Sequence, residues 1–303
     1  MKKFLTFVLL ISALLLTYLY RENIVLFVFD KFNNINNEIT ININEDYYRD
    51  YNLSYVKLTD NYDVSSTEDL LNLYYTVINA GMDEFKFYCS KEYKTCIDDI
   101  VYLSEEQTTL SNINNFVHPY NRFTSLKTTY DTLRQITITL EKTYTKDKQN
   151  KINEEVDKII KEQIKDEKEP KKIIRIVHDY IINNTKYDKE RADKNIIKYE
   201  SHTAYGVLIE HYGLCGGYAD AMALFLDKYE IPNFKVVSEN HIWNAVYLED
   251  NWYHLDLTWD DPVLTNGNDT LEYTFFLITT SELEELETNQ HIFNKKVFTE
   301  LDY

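Results

Sequence analysis

The stretch Gly213-Leu214-Cys215-Gly216-Gly217-Tyr218-Ala219 decides the fold of this chain. The sequence has only six glycines, and three of them stand within these seven residues. A chain so poor in glycine places it where the backbone turns sharply or where another group approaches closely. Apolar residues recur at helical spacing from Ala219 to Lys228. We therefore expect a turn at 213–214, followed by a helix whose first turn contains Cys215.

A cysteine in the first turn of a helix suits nucleophilic chemistry. The free backbone N–H groups and the helix dipole favour negative charge at this position. The thiolate, rather than the thiol, is the nucleophile. The same N–H groups could also stabilise an oxyanion. The structural alternative is that Cys215 is a small buried hydrophobic residue without a chemical role.

Two further stretches supply polar partners for Cys215. Residues 241–248 and 251–258 alternate between polar and apolar side chains, which predicts two strands. A two-residue turn at 249–250 would place His241 and Asp256 on the same face as diagonal neighbours, about 7–8 Å apart at Cβ. A turn that is one residue longer or shorter would put them on opposite faces.

Two alternatives to this pairing stay open in the sequence. His254 shares a strand face with Asp256 and therefore competes with His241 for that carboxylate. Cys215, His241, His254 and Asp256 could also bind zinc together. Zinc sites usually contain close ligand pairs such as C-x-x-C, however, and Cys215 has no such partner. We therefore expect neither a metal nor a cofactor.

Four stretches of this chain resemble the transglutaminase-like superfamily, in its bacterial branch with a Cys-His-Asp triad. They are His202–Leu208, Gly213–Ala221, His241–Val246 and Trp252–Pro262, and Tyr273–Leu277 and His291 fit the family's tail. The resemblance covers roughly residues 170–295. It implies an α+β, papain-like catalytic domain in which the cysteine-bearing helix packs on an antiparallel sheet. It also implies that Cys215 is the nucleophile, that His241 is the general base and that Asp256 orients His241.

The resemblance implies a thiol enzyme that acts on protein or peptide amide bonds through a thioester. Peptidase, deamidase and transglutaminase-type acyl transfer all use the same triad, and the fold does not choose among them. Trp243 and Tyr218 are candidate substrate-binding residues, although the tryptophans suit the core equally well. The alternative function is a catalytically silent surface module that binds protein or cell-wall material. The intact Cys215, His241 and Asp256 argue against it.

Composition and the beginning of the chain suggest where the protein acts. The net charge of −18 argues against nucleic acid as a partner, because phosphate binding needs clustered Lys and Arg. Lys2 and Lys3 precede an apolar run from Phe4 to Tyr20, which predicts a membrane anchor or signal segment over 1–30. We expect an uncleaved single-pass anchor with the catalytic domain outside the cytoplasm, and a secreted protein if the segment is cleaved.

The remaining chain divides into a linker over 31–48, a mixed α/β N-terminal domain over 49–148 and the catalytic domain over 149–303. The boundary falls near the charged amphipathic helix expected at 147–168, after which Pro170 opens another helix. In that second helix His178 and Asp179 have no catalytic pattern, and we expect them to be structural.

The N-terminal domain is predicted to begin with a helix whose capping box runs from Ser65 to Glu68 and which ends at Gly81. It continues with a strand at 84–88, a helix at 91–103, and strands at 124–130 and 133–144. Whether Cys89 and Cys96 form a disulfide stays open. A location outside the cytoplasm favours the pairing, whereas a helix over 91–103 makes its geometry difficult.

Overall fold

The computed structural model describes residues 2–21, 24, 27, 41, 43, 45–90, 92–131, 134–262 and 270–302. The predicted linker therefore lies largely outside the described residues. Helix α1 (Lys2–Leu19) occupies the apolar run near the N-terminus, and side chains such as Leu14 and Leu15 are exposed. Within the described ranges, no helix combines the length and the apolar character that crossing a membrane requires.

The first half of the chain is mixed α/β, as predicted. Its elements are α2 (Thr67–Asn79), β1 (Glu84–Tyr88), α3 (Cys96–Glu105), α4 (Gln107–Phe116), β2 (Phe123–Tyr130) and β3 (Gln135–Lys142). The three strands form one antiparallel sheet in the order β1-β3-β2. The alternation in β3 buries Ile136, Ile138 and Leu140 on one face.

Helix α2 has the predicted kind of N-cap, shifted by one residue, and the predicted glycine at its C-terminal end. Ser66, rather than Ser65, caps the helix by accepting the backbone N–H of Asp69. The Asp69 carboxylate, rather than that of Glu68, reaches back and accepts from Ser65. At the other end Gly81 has a φ of 74°, a left-handed conformation that glycine adopts at little cost and that commonly ends a helix.

A disulfide joins Cys89 to Cys96. The predicted helix over 91–103 was too long at its N-terminal end, because α3 begins only at Cys96. The residues before Cys96 therefore form a turn, and this turn returns the chain to Cys89 at the end of β1. The late start of α3 thus removes the geometric difficulty that the predicted helix posed for the disulfide.

The second half contains the remaining helices and two further sheets. The first helices are α5 (Lys146–Ile159), which continues into a π-helical turn at Ile160–Ile164, α6 (Pro170–Asn184) and α7 (Lys189–Lys194). They are followed by α8 (Cys215–Lys228) and α9 (Thr280–Glu285). The strands are β4 (Lys186–Tyr187), β5 (Tyr212–Gly213), β6 (Asn233–Val237), β7 (Ile242–Leu248), β8 (Asn251–Leu255) and β9 (Phe276–Ile278). Strands β4 and β5 pair in parallel, and β6-β7-β8-β9 form an antiparallel sheet in that order.

Helix α8 packs on the antiparallel sheet, as the resemblance implied. Asn244 of β7 donates its side-chain N–H to the carbonyl of Ala219 and so links the sheet to the helix. The β7–β8 hairpin has the predicted register, with Leu248 opposite Asn251. Both turn residues, Glu249 and Asp250, have positive φ, the conformation that matches a two-residue turn to the twist of the strands.

The hydrophobic core does not stop at residue 148. One cluster combines Leu73 and Phe116 of the first half with Phe234, Trp243 and Phe298 of the second half. A second cluster lies on the other face of the antiparallel sheet, among α5, α6, α8 and residues of β7 and β8 such as Val246 and Leu255. Helix α8 and the antiparallel sheet are thus supported by residues from most of the described chain.

Candidate active site

Cys215 is the first residue of α8, where the preceding residue Leu214 is extended and acts as the N-cap. The side chain is partly exposed, and it is the only one of the three cysteines that is not in a disulfide. The first turn of the helix packs directly against the backbone of residues 201–203. A Cβ on Gly217 would lie 2.3 Å from the carbonyl oxygen of Ser201, so this position accepts no side chain.

The hairpin brings His241 to Asp256. The His241 Nε2 and Asp256 Oδ2 atoms lie 2.5 Å apart, and both side chains are almost completely buried. Because a carboxylate only accepts hydrogen bonds, we assign the proton to Nε2 of His241. The second ring nitrogen, Nδ1, is thereby left for the Cys215 thiol. The structure thus brings together the three residues that were predicted from the sequence.

Asp256 lies just beyond the end of β8, where the predicted strand over 251–258 is shorter than expected. Its Oδ1 atom accepts the backbone N–H groups of Thr258 and Trp259, at 2.9 and 3.3 Å. This turn ends the strand and fixes the carboxylate plane. Local side-chain to backbone hydrogen bonds of this kind are a common reason why aspartate ends regular structure.

His241 and Asp256 each stabilise the charged form of the other. Burial alone would lower the pKa of His241, but the charge and hydrogen bond of Asp256, together with a hydrogen bond and the charge of Cys215, raise it to about 10. Burial likewise disfavours the Asp256 carboxylate, yet His241 and a second histidine, His291, lower its pKa to about 2. At neutral pH the pair is therefore an imidazolium beside a carboxylate.

A cleft of about 320 Å³ opens onto Cys215. Besides Cys215 and His241 it is lined by Tyr187, Asn240, Thr258, Trp259, Asp261, Pro262 and Gln290. Tyr187 is held there by the parallel β4–β5 pair, in which it lies opposite Gly213, two residues before Cys215. The lining combines aromatic surface with hydrogen-bonding groups, among them the carboxylate of Asp261.

Both candidate substrate-binding residues lie in the interior. Trp243 is 1% exposed, stacks on the His241 ring at 5.6 Å and donates its indole N–H to Nδ1 of His254. Tyr218 is equally buried, and its hydroxyl donates to Asp261. Trp243 thus forms the floor beneath His241, and Tyr218 joins α8 to the segment after β8. The sequence pattern could not distinguish these core positions from a substrate wall.

The competing histidine has partners of its own. His254 accepts from Trp243 and lies 3.0 Å from the Thr280 hydroxyl, and burial lowers its pKa to about 3. It is a neutral core residue whose two ring nitrogens bind Trp243 and Thr280 rather than Asp256. His178 is also buried: its Nε2 atom lies 3.2 Å from Asp260 and its Nδ1 atom lies 2.9 Å from Asp179, which agrees with the expected structural role.

The sequence reasoning did not include His291 in the site. Its Nε2 atom lies 2.9 Å from the same Asp256 oxygen that binds His241. The only signal in the sequence was its fit to the tail of the family pattern, which gave no role.

His241, Asp256 and His291 also present three atoms that could bind a metal. Zinc would need each of them about 2.0–2.2 Å away, which would break both direct hydrogen bonds to Asp256. We therefore interpret the trio as a hydrogen-bonded group.

Residues 157–257 match the family model of the transglutaminase-like superfamily. The matched segment contains Cys215, His241 and Asp256, so the resemblance seen in the sequence is confirmed. None of the curated proteins matches the chain.

Similar solved structures include a TGase, with 16% identity, coverage of 60% of this chain and 64% of that chain, and a TM-score of 0.33. Another is a candidate cysteine protease from Cytophaga hutchinsonii, with 15% identity, coverage of 48% and 65%, and a TM-score of 0.28. The chain thus spans slightly less than two thirds of each structure.

Proposed function

We propose that this transglutaminase-like chain is a cysteine enzyme that breaks amide bonds of proteins or peptides through a thioester. One observation carries the proposal: Cys215 begins α8 at the edge of an open cleft and faces a histidine that is held by a buried carboxylate. The three side chains come from a helix, the β7–β8 hairpin and the turn after it, and these elements are fixed by the core on both sides of the sheet.

In the first half-reaction the Cys215 thiolate attacks the amide carbonyl carbon and forms a C–S bond. The tetrahedral oxyanion lies near the first N–H groups of α8, where the helix dipole also favours negative charge. The His241 imidazolium gives its proton to the leaving nitrogen, the C–N bond breaks, and an amine leaves. The products of this step are a thioester and a neutral His241, while Asp256 keeps its charge.

In the second half-reaction neutral His241 takes a proton from the nucleophile that attacks the thioester. The C–S bond breaks and the thiolate is restored beside the imidazolium. Water as the nucleophile gives a carboxylic acid, which is peptide hydrolysis or deamidation according to the amide attacked. A primary amine gives a new amide, which is cross-linking. The described cleft is open, so water can reach the thioester, and we favour hydrolysis.

A location outside the cytoplasm is part of the same proposal. The Cys89–Cys96 disulfide supports it, because stable disulfides form mainly in oxidising compartments. A disulfide in this pair also leaves Cys215 as the single thiol of the chain. Cys215 therefore keeps its thiol in an oxidising compartment, because Cys89 and Cys96 are already bonded to each other.

The proposal is tested by incubating the protein with peptides that contain glutamine and lysine and analysing them by mass spectrometry. Chain cleavage, conversion of glutamine to glutamate and peptide cross-linking distinguish the three activities. Cys215→Ser is the matched control, because it changes one atom and leaves the helix start intact. We expect the wild-type chain to form products and Cys215→Ser to form none. Equal amounts of product from the two proteins would contradict the proposal. If neither protein forms product, the silent binding module is favoured.

A further inference from the structure

One oxygen of Asp256 is shared by two histidines. Oδ2 lies 2.5 Å from Nε2 of His241 and 2.9 Å from Nε2 of His291. The two rings are nearly perpendicular, with centroids 5.2 Å apart. Oδ1 already accepts the backbone N–H groups of Thr258 and Trp259. The carboxylate therefore accepts four hydrogen bonds, of which only one comes from the residue that it is expected to orient.

His291 is buried and closely packed in the core. It is 5% exposed and stacks on Phe275, with ring centroids 4.8 Å apart. The rings of Trp243 and Trp259 meet it edge-on at 4.8 and 5.0 Å. Its Nδ1 atom lies 2.6 Å from the Thr288 hydroxyl. Since Asp256 can only accept, we assign the proton to Nε2 and the role of acceptor to Nδ1, which binds the Thr288 hydrogen.

We infer that His291 is a positioning residue that shares the charge of Asp256 with His241 and so limits how strongly the carboxylate holds the proton on His241. The inference rests on the proposed function, because it assigns His291 a part in that site. A carboxylate with a single imidazole partner concentrates its charge on that partner. Each further donor draws part of that charge away.

The other side chains around His241 face its ring or line the cleft. Cys215 faces the ring from α8, and Tyr187 and Asp261 line the cleft on the open side. His254 lies behind Trp243 and bonds to Trp243 and Thr280 instead. Among the described residues, His291 is the side chain that binds Asp256 besides His241.

The consequence concerns proton donation to the leaving group. A histidine that holds its proton more tightly is a weaker acid, and acid catalysis by such a group is slower. An amide needs a proton on its leaving nitrogen, whereas an activated ester expels a good leaving group without one. Loss of the His291 hydrogen bond should therefore slow amide cleavage much more than ester cleavage.

The test compares His291→Phe with His291→Gln. Phenylalanine fills the space but donates no hydrogen bond, whereas the glutamine amide can still donate to Asp256. We expect His291→Phe to lower kcat for amides about 10- to 100-fold and to leave kcat for an activated ester within about threefold of wild type. We expect His291→Gln to keep a nearly wild-type ratio of amide to ester rates. His254→Gln controls for the loss of a buried imidazole and should leave that ratio unchanged.

A second measurement does not depend on turnover. The titration of His241, followed by NMR of its ring, should move upward by about half a pH unit or more in His291→Phe and stay in place in His254→Gln. If His291→Phe fails to fold, Thr288→Val should give a smaller shift in the same direction. An unmoved or lowered His241 titration, or an equal loss of amide and ester rates, would overturn the inference. A wild-type chain without turnover would contradict the proposed function alone, since the titration still decides this one.

Discussion

Asp256 remains charged in the interior because every lone-pair direction of its carboxylate is used. Two imidazole N–H groups and two backbone N–H groups point at it, and its pKa falls to about 2 although burial opposes this. The charge in turn raises the pKa of His241 to about 10. Each residue thus keeps the other ionised, and the stability of the pair depends on pH in a defined way.

The first prediction concerns this dependence. The folded pKa of Asp256 is lower than its ordinary value of 3.8, so its contribution to stability is present above about pH 4 and is lost as the pH falls towards 2. The folded pKa of His241 is higher than 6.5, so its contribution is present below that pH and is lost as the pH rises through about 10. The difference in unfolding free energy between wild type and Asp256→Asn should be largest from about pH 4 to 6.5 and shrink on both sides. Denaturant unfolding at a series of pH values measures it, and a constant difference would refute the assignment.

The second prediction concerns the floor beneath His241. Trp243→Phe removes a buried indole N–H donor and leaves Nδ1 of His254 without it, which should cost about 1–3 kcal/mol in unfolding free energy. Trp252→Phe is the matched control, because Trp252 lies in the adjacent strand and is only partly buried. Denaturant unfolding of the two variants compares them. Equal losses would show that the Trp243–His254 bond contributes nothing specific.

At the scale of elements, the first turn of α8 and the segment 201–203 are packed backbone against backbone. This contact explains why position 217 is a glycine. A Cβ on Gly217 would meet the carbonyl oxygens of Ser201 and Thr203, at 2.3 and 2.9 Å. The nearest atom to a Cβ on Gly216 would be the carbonyl oxygen of His202, at 3.2 Å. The two neighbouring glycines therefore differ in how much room they have.

The third prediction uses that difference. Gly217→Ala should destabilise the chain by about 1–3 kcal/mol, because the overlap is with backbone and cannot be relieved by a side-chain rotation. Gly216→Ala should change stability by less than about 1 kcal/mol, because a small displacement suffices and alanine favours the helix. Thermal or denaturant unfolding of both variants measures the contrast. A Gly216 variant that is the less stable of the two would contradict the packing described here.

The elements show which parts of the site could be predicted from the sequence. The start of α8 and the hairpin register follow from local signals, namely glycines, alternation and a two-residue turn, so His241 and Asp256 could be paired. The family resemblance then added Cys215 to this pair. His291 lies 35 residues beyond Asp256, and no periodicity connects the two. The burial of Trp243 and Tyr218 also depends on contacts across the whole fold. Long-range packing therefore fixes the position of His291 and the burial of Trp243 and Tyr218, which the sequence pattern does not show.

At the scale of the whole molecule, the predicted boundary at 148–149 crosses a continuous interior. Arg49 is 5% exposed and donates to Asp227 of α8 and to Asn233 of β6. Arg122 and Tyr144 likewise bind Asp220, which lies in the same helix as Cys215. A charge buried with a partner on the other side of the boundary is costly to leave unpaired.

The fourth prediction follows from these contacts. A fragment of residues 149–303 should not form the native site, because it exposes Phe234 and Trp243 and leaves Asp220 and Asp227 without their arginines. Near-ultraviolet circular dichroism and amide hydrogen exchange should show lost tertiary packing relative to the full chain. A fragment with native protection in β6 to β8 would show that the second half is an independent domain.

The central claim is that Cys215 and His241 form an ion pair, and the rate of Cys215 alkylation by iodoacetamide against pH tests it most directly. The Cys89–Cys96 disulfide is kept oxidised, so Cys215 is the one thiol that reacts. We predict rapid labelling of the wild-type chain at pH 6, slower by about tenfold or more in His241→Ala, because the imidazolium that stabilises the thiolate is lost. Slow labelling that is the same in both proteins would mean that no such pair exists and would contradict the account.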